Sequence, residues 1–469
     1  MTHVLALDQG TSGTKAVVVS ETEVLALVEI SLRPDYLPGG AVEQDPLALR
    51  ASVLDAGRAA VAEAGVPIDI VTLANQGESV LAWDPGTGQP LTPVVVWQDR
   101  RAESTCAELH QHADLVAART GLVLDPYFSA PKQAWIRAHL TSDGVVTTTD
   151  SWLLHELTGE LVTDVSTASR SAVTDLATGE WDGELLDLFG LGAEQLPRIV
   201  ACDEAIGTTS AFGADVPVGG LVVDQQAALL AQRCHAPGEA KCTFGTGAFL
   251  LAHNGSQAPR SVSGLTTSVA WRVRGELSYC VDGQVFTAAS AVRWMHDLGL
   301  VDSAADLDSV AADDSGGVLA VPAFAGLGAP WWRPDATASF TGMTLATGRG
   351  ELVLAVLQGI AAQVAELGSA VANDSGVPLQ RLRVDGGLTQ SKVLMQAVAD
   401  LLQAEVEVYP SQHATPLGAA ALARMTLDPS LSLADAVQPW TSRRSYSPRW
   451  TPDRAADFRA RWAACVAVR

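Results

Sequence analysis

The sequence predicts an α/β protein of two domains on three observations. Its 469 residues exceed the roughly 250–300 at which one hydrophobic core stops growing. Apolar residues make up 48% and charged residues 18%, a globular balance with no disordered tract. Two similar Gly- and Thr-rich hairpins, LALDQGTSGTKAVVVS near the start and KCTFGTGAFLLAH from residue 241, each open a long stretch of strand and helix patterns. The chain therefore divides into residues 1–235 and 236–469, across the polar, Pro-containing segment His235–Glu239.

Val4–Leu7, Lys15–Ser20 and Glu23–Leu32 are β-branched or alternating runs joined by turn residues, which predicts an antiparallel meander. Asp45 is placed to cap a helix running to Glu63, and Ile68–Ala74 reads as a buried strand. Helices are expected over Ala102–Thr120 and Pro131–Leu140. In the second half, Lys241–Thr243 and Ala248–His253 form strands about the Gly245-Thr246-Gly247 turn. Leu379–Asp385 is a strand, Ser391–Gln403 a helix, and Pro452–Val466 an amphipathic helix. Val353–Ala372 is apolar enough to suggest a membrane span, but Gln358, Gln363 and Glu366 favour a buried helix. The run Asp302–Asp314 reads as a solvated helix and loop.

A net charge of −23 and only four lysines, Lys15, Lys132, Lys241 and Lys392, argue against nucleic acid or an anionic membrane as partners. An anion site would have to use backbone N–H groups, arginines or a metal. The six cysteines show no metal or redox spacing, and the N-terminus lacks the pattern of a signal peptide, so a reducing cytoplasm is expected. His235, His296 and His413 have no metal-ligand spacing and are expected to be satisfied structural groups.

Chemistry is concentrated at the turns. Asp8 ends a strand and is followed by Gly10, Thr11, Ser12 and Gly13, offering a carboxylate beside N–H and hydroxyl donors that could wrap a phosphate. Gly245, Thr246 and Gly247 offer donors in the same way, although a hairpin turn alone would also explain either sequence. Neither is a Walker A loop or a dinucleotide fingerprint. Asp224 follows the apolar strand Leu221–Val223, where it could act as a general base or merely cap the next helix.

These turns and Asp224 occur in order with NQGES (75–79), VVWQDRR (95–101), TGLVLDPYFSAPKQAWI (120–136), FAGLGAPWWRPDA (324–336), RVDGGLTQSKVLMQ (383–396) and TPLGAAALA (415–423). Together they resemble the FGGY carbohydrate kinases, and most of all the glycerol kinases within that family. The resemblance implies two ribonuclease-H-like domains of the actin, hexokinase and Hsp70 type, with ATP and acceptor in the interdomain cleft. It implies that Asp224 is the base, that Asp8 holds Mg²⁺, and that Thr11, Ser12, Lys15, Thr246 and Gly247 belong to the phosphate site. Gly387 and Ser391 match positions that contact adenosine, with Ser391 where Asn is common. It also implies homodimers or homotetramers. The tandem Trp331-Trp332 is expected in a packed loop near the nucleotide.

For the acceptor, the resemblance selects Glu78, Tyr127, Gln225, Trp97 and Phe249 together with Asp224. The sequence departs from the glycerol kinase pattern at Gly77, where an arginine is expected. Loss of that group removes donors worth about 1.5–3 kcal/mol each and would vacate volume. Arg100 and Arg101 are candidates to replace it. The expected activity is transfer of a phosphoryl group from ATP to a primary hydroxyl, glycerol being the first choice of acceptor. Erythritol, xylulose or another ketose or aldonate, and a non-catalytic sugar or nucleotide sensor, remain the alternatives.

Overall fold

The computed structural model of the protein describes residues 2–21 and 23–467. The opening meander forms as the alternation requires: Val4–Gly10, Gly13–Val19 and Val24–Ser31 pair antiparallel in sequence order. Ile70–Asn75 then adds parallel to the first strand, with Asp8 beside Ala74. Its six residues are all buried, as expected of a strand covered on both faces. Val216–Gly219 and Ala205–Thr209 extend this mixed sheet to one edge. The helix Pro46–Ala64 is capped by Asp45, whose side chain accepts from the Leu47 N–H.

The second hairpin builds the same arrangement. Ala240–Phe244 and Ala248–Gly255 pair antiparallel, and Arg381–Asp385 adds parallel to the first of them, with Thr243 beside Asp385. Glu276–Val285 and Thr266–Val273 extend one side; Glu405–Val408 and Arg444–Tyr446 extend the other. In both halves, a hairpin strand at the centre of a seven-stranded sheet ends in the Gly/Thr turn. The resemblance between the two turns is thus a resemblance of topology.

The apolar helix Arg349–Ser375 is a core element, with Val353–Gln363 buried throughout. Five of the six cysteines are buried, all are free thiols, and Cys465 is half-buried. The expected helix over 102–120 is broken into Glu103–Glu108, a 3₁₀ turn at His110–His112, and Ala113–Thr120. A five-stranded sheet made from Asp35–Tyr36, Val42–Gln44, Val94–Val95, Val80–Trp83 and Val145–Thr148 was not anticipated. Its strands have two to four residues, too few for a period to show.

Two helices cross where the halves meet. Asp224–Ala231 follows the strand Val222–Val223, and Ala414–Leu427 lies against it and the first sheet. Their approach depends on small residues. A Cβ on Gly418 would lie 1.9 Å from the Ala227 carbonyl oxygen, and one on Gly220 would lie 2.3 Å from the Ala423 nitrogen. Gly418→Val should therefore force this crossing apart. We expect a loss of at least about 1–3 kcal/mol, measured by denaturant unfolding, and wild-type stability would show that the contact yields easily.

Candidate active site

A cavity of about 300 Å³ opens between the two hairpin turns and the helix starting at Asp224. Asp8, Thr11, Ser12 and Lys15 line it from the first hairpin, and Thr246 lines it from the second. Asp224 and Gln225 contribute from the helix, and Gly77, Glu78, Trp97, Tyr127 and Phe249 complete the wall. Gly247, Gly387 and Ser391 do not line it.

The turns retain unused donors. Among the described residues, the N–H groups of Thr11, Ser12, Gly245 and Thr246 donate to no other group of the chain. Consecutive free amides of this kind are ready to receive an anion. Thr11 is also fixed from two sides: Trp97 Nε1 donates to its hydroxyl at 2.8 Å, and Gln44 Nε2 to its carbonyl at 2.8 Å. Gly247 has a packing role instead, since a Cβ there would lie 2.4 Å from the Val285 carbonyl oxygen.

Asp224 is the first helical residue of Asp224–Ala231 rather than the residue before it, and no side-chain cap bond closes that helix start, although the Gln225 N–H acts on its carboxyl. Burial raises its carboxyl from 3.8 to about 7; Asp8 and Glu78 push in the same direction, and Lys241 opposes them. Burial also raises Asp8 to about 6, with Lys15 opposing and Glu29 reinforcing. Lys15 stands directly across the hairpin from Asp8.

Gln225 is held away from a purely acceptor-facing role by Lys241, a residue the sequence reading passed over. Lys241 is fully buried; its Nζ donates to Gln225 Oε1 at 2.5 Å and to Thr243 Oγ1 at 2.8 Å. Thr243 in turn donates to Asp385 at 2.6 Å. This chain joins the second sheet to the residue beside Asp224. A lysine opening the apolar strand of KCTFGTG was a signal available in the sequence, but nothing there showed which groups it would meet.

Trp97, Tyr127 and Phe249 share one corner of the cavity. Trp97 meets Tyr127 edge-on at 5.6 Å between ring centroids and Phe249 at 5.9 Å. The loop carrying Tyr127 is tied by Lys132, whose buried Nζ donates to the carbonyls of Pro126, Tyr127 and Phe128 at 2.8, 2.6 and 2.6 Å. Burial lowers the Lys132 ammonium to about 7, with Glu78, Asp99 and Asp125 opposing the shift.

Several expectations need correction. Arg100 pairs with Glu103 and Asp125, and Arg101 with Asp99 and Glu43, so neither supplies the donor missing at position 77. Arg170, which no motif singled out, lines the cavity and donates to Glu78 at 2.6 Å. Nor does Gly77 simply vacate space, because a Cβ there would lie 2.9 Å from Val223 Cγ2. The tight backbone falls instead on Glu78, at φ +61°, with the Ser79 N–H donating to the Gly77 carbonyl at 2.8 Å. This is a γ-turn with a non-glycine residue at positive φ, a strain that persists where surrounding contacts enforce it. Ser391 is buried as a helix cap: its hydroxyl donates to Asp308 and accepts from the Leu394 N–H. Asp308 also accepts from the N–H groups of Lys392 and Val393, so the run 302–314 is not merely solvated. His235 and His413 each have a buried Nδ1 without a partner, contrary to the expectation of satisfied histidines. Trp332 Nε1 donates to the Gly264 carbonyl, and Trp331 packs near Trp462, in agreement with a packed loop.

Residues 3–231 match the N-terminal domain of the FGGY family of carbohydrate kinases, and residues 240–427 match its C-terminal domain. The chain belongs to the FGGY family of carbohydrate kinases. It is therefore a phosphotransferase with an alcohol group as acceptor. A glycerol kinase of Aromatoleum aromaticum is 39% identical over 99% of this chain and 98% of its own length. A glycerol kinase of Thermus brockianus is 40% identical over 99% and 98%. The structure of Plasmodium falciparum glycerol kinase with ADP superimposes with a TM-score of 0.90, at 30% identity, covering 100% of this chain and 98% of that one. A ligand-bound xylulose kinase from Lactobacillus acidophilus, 21% identical with a TM-score of 0.89 over 100% of this chain and 98% of its own, shares the FGGY fold.

The raised Asp224 carboxyl has a cost in stability. Because its native pKa of about 7 lies above the ordinary 3.8, the native state binds more protons than the unfolded state between those values. Stability therefore falls as pH rises through that window. Asp224→Asn should raise the thermal midpoint at pH 8 by about 1 °C for each kcal/mol relieved in a chain of 469 residues, with the gain shrinking toward pH 5. Calorimetry at the two pH values measures this, and a pH-independent change would contradict it.

Proposed function

We propose that the protein transfers the γ-phosphoryl group of Mg-ATP to a primary hydroxyl of glycerol, in a cleft between halves spanning residues 1–235 and 236–469. The observation that carries this reading is Asp224, a carboxylate with a pKa raised to about 7 at the floor of a cavity walled by two amide-rich turns and an aromatic corner. A base poised near neutrality can accept the hydroxyl proton as oxygen attacks phosphorus.

In this reading Glu78, Tyr127 and Gln225 orient the acceptor hydroxyls, while Trp97 and Phe249 cover its carbon chain. The Thr11–Ser12 and Gly245–Thr246 turns receive phosphate oxygens through their free N–H groups. Gly387 and Ser391 lie toward the adenosine end, with Ser391 shaping the helix start and its hydroxyl committed to Asp308. The polyol preference rests on the glycerol kinase relatives at 39–40% identity.

The residues also suit Mg²⁺. Only burial, Lys15 and Glu29 act on the Asp8 carboxyl, with no hydrogen bond to it, and no group of three His, Cys, Asp or Glu side chains able to hold a metal occurs among the described residues. One carboxylate with open space around it matches an ion that keeps its waters and takes phosphate oxygens. Asp8 would hold it, and the ion would neutralise charge on the transferring phosphoryl group. A cytoplasmic location and a homodimer or homotetramer are consistent with this reading.

The test is ADP release from Mg-ATP with glycerol, erythritol, xylitol, xylulose, ribulose and gluconate, against a control without acceptor. We expect glycerol to be preferred, with kcat/KM above about 10⁴ M⁻¹s⁻¹; preference for a longer acceptor would overturn the substrate assignment. Asp224→Asn should lower kcat by at least about 10²-fold with KM for ATP little changed. Near-normal turnover would remove Asp224 as the base.

A further inference from the structure

We infer that Arg170 is a specificity-determining donor to the acceptor hydroxyls and that Asp282, contributed by the other half of the chain, is its positioning residue. The inference rests on the acceptor site proposed above.

Arg170 follows the short helix Val165–Ala168, and its side chain is only 7% exposed although it lines the cavity. Nε donates to Glu78 Oε1 at 2.6 Å and Nη1 to Asp282 Oδ1 at 2.7 Å. Two carboxylates on different edges fix the guanidinium plane. The ring of Tyr127 lies 5.6 Å from the guanidinium carbon and that of Phe128 lies 5.3 Å from it, so its faces are covered. Burial works against the charge, and Asp282 followed by Glu78 more than offsets it, so Arg170 stays protonated.

A guanidinium has five N–H donors. Two are used, and among the described residues Nη2 makes no hydrogen bond. Gly77 offers no side chain beside Glu78, and Arg170, bound to that carboxylate through Nε, is an arginine lining the cavity with N–H groups to spare. The spare N–H groups of a rigidly held guanidinium are suited to neutral hydroxyl oxygens, because two carboxylates already offset its single charge.

Arg170 lies in the part matching the N-terminal family domain and Asp282 in the part matching the C-terminal one. Asp282 sits on Glu276–Val285, beside Leu251 of the strand that carries Phe249. The orientation of an acceptor-binding group in one half is thus set by a carboxylate in the other. Acceptor affinity should depend on Asp282 even where Asp282 itself touches no acceptor.

The experiment compares Asp282→Asn, Asp282→Glu, Arg170→Met and the Arg170→Met/Asp282→Asn pair on whichever acceptor the wild-type enzyme turns over best. We expect Asp282→Asn to raise acceptor KM by about 10–100-fold, as for loss of charge-assisted hydrogen bonds, with KM for ATP within about twofold. Asp282→Glu should recover most of the loss, and the double variant should be no worse than Arg170→Met. If Asp282→Asn does not fold, Arg170→Lys, which keeps charge but loses the planar fork, should raise acceptor KM comparably. Unchanged acceptor KM, a parallel rise in KM for ATP, or additive losses would overturn the inference. Preference of the wild-type protein for another polyol or sugar would defeat the glycerol assignment alone. Turnover of no acceptor would defeat both.

Discussion

An excess of carboxylate enclosed between two sheets governs this molecule. Asp8, Glu78, Asp224 and Asp282 all line one cavity, where the cations within reach are Lys15 and Arg170, with Lys241 behind the wall. Removing charges from water is costly unless they are paired. Glu78 and Asp282 are paired through Arg170, although burial still raises the Glu78 carboxyl; Asp8 and Asp224 accept no side-chain bond and are pushed up to about 6 and about 7. The unpaired two are the groups assigned to metal and proton. Electrostatic stress therefore reaches the atoms proposed to do chemistry, while the carboxylates beside them have an arginine partner.

That stress is tolerated because the frame beneath it is over-determined. Each Gly/Thr turn joins two central strands of a seven-stranded sheet. The helix beginning at Asp224 is held by the close crossing at Gly418, and Gly220 ahead of it packs on the same partner helix. Lys132 and Lys241, both buried, bind carbonyls, a hydroxyl and an amide that would otherwise leave Tyr127 and Gln225 free to turn. With only four lysines in the chain, two are committed to holding the site and a third, Lys15, faces it. Site and core are consequently hard to separate in sequence.

Much of this was legible beforehand because the signals were local. The hairpins, the Asp45 cap and the strand leading to Asp224 follow from alternation and capping chemistry over a few residues. The resemblance of ordered motifs then identified most of the cavity wall. What escaped were relations between distant positions. Arg170 is 92 residues from Glu78 and 112 from Asp282, and STASRS carries no mark of a binding arginine. Ser391 was attractive by position, yet Asp308, 83 residues away, claims its hydroxyl. Gly77 suggested vacated volume; Val223 lies 2.9 Å from where its Cβ would be, and the strain falls one residue later, at Glu78.

The central claim is that the cleft performs one in-line displacement, with Asp224 taking a proton and no protein group taking phosphorus. ATP made chiral at the γ-phosphorus with oxygen isotopes tests it most directly, by analysing the configuration of the phosphorylated acceptor. A single displacement predicts inversion at phosphorus. Retention would require a phosphorylated enzyme intermediate and would contradict the account.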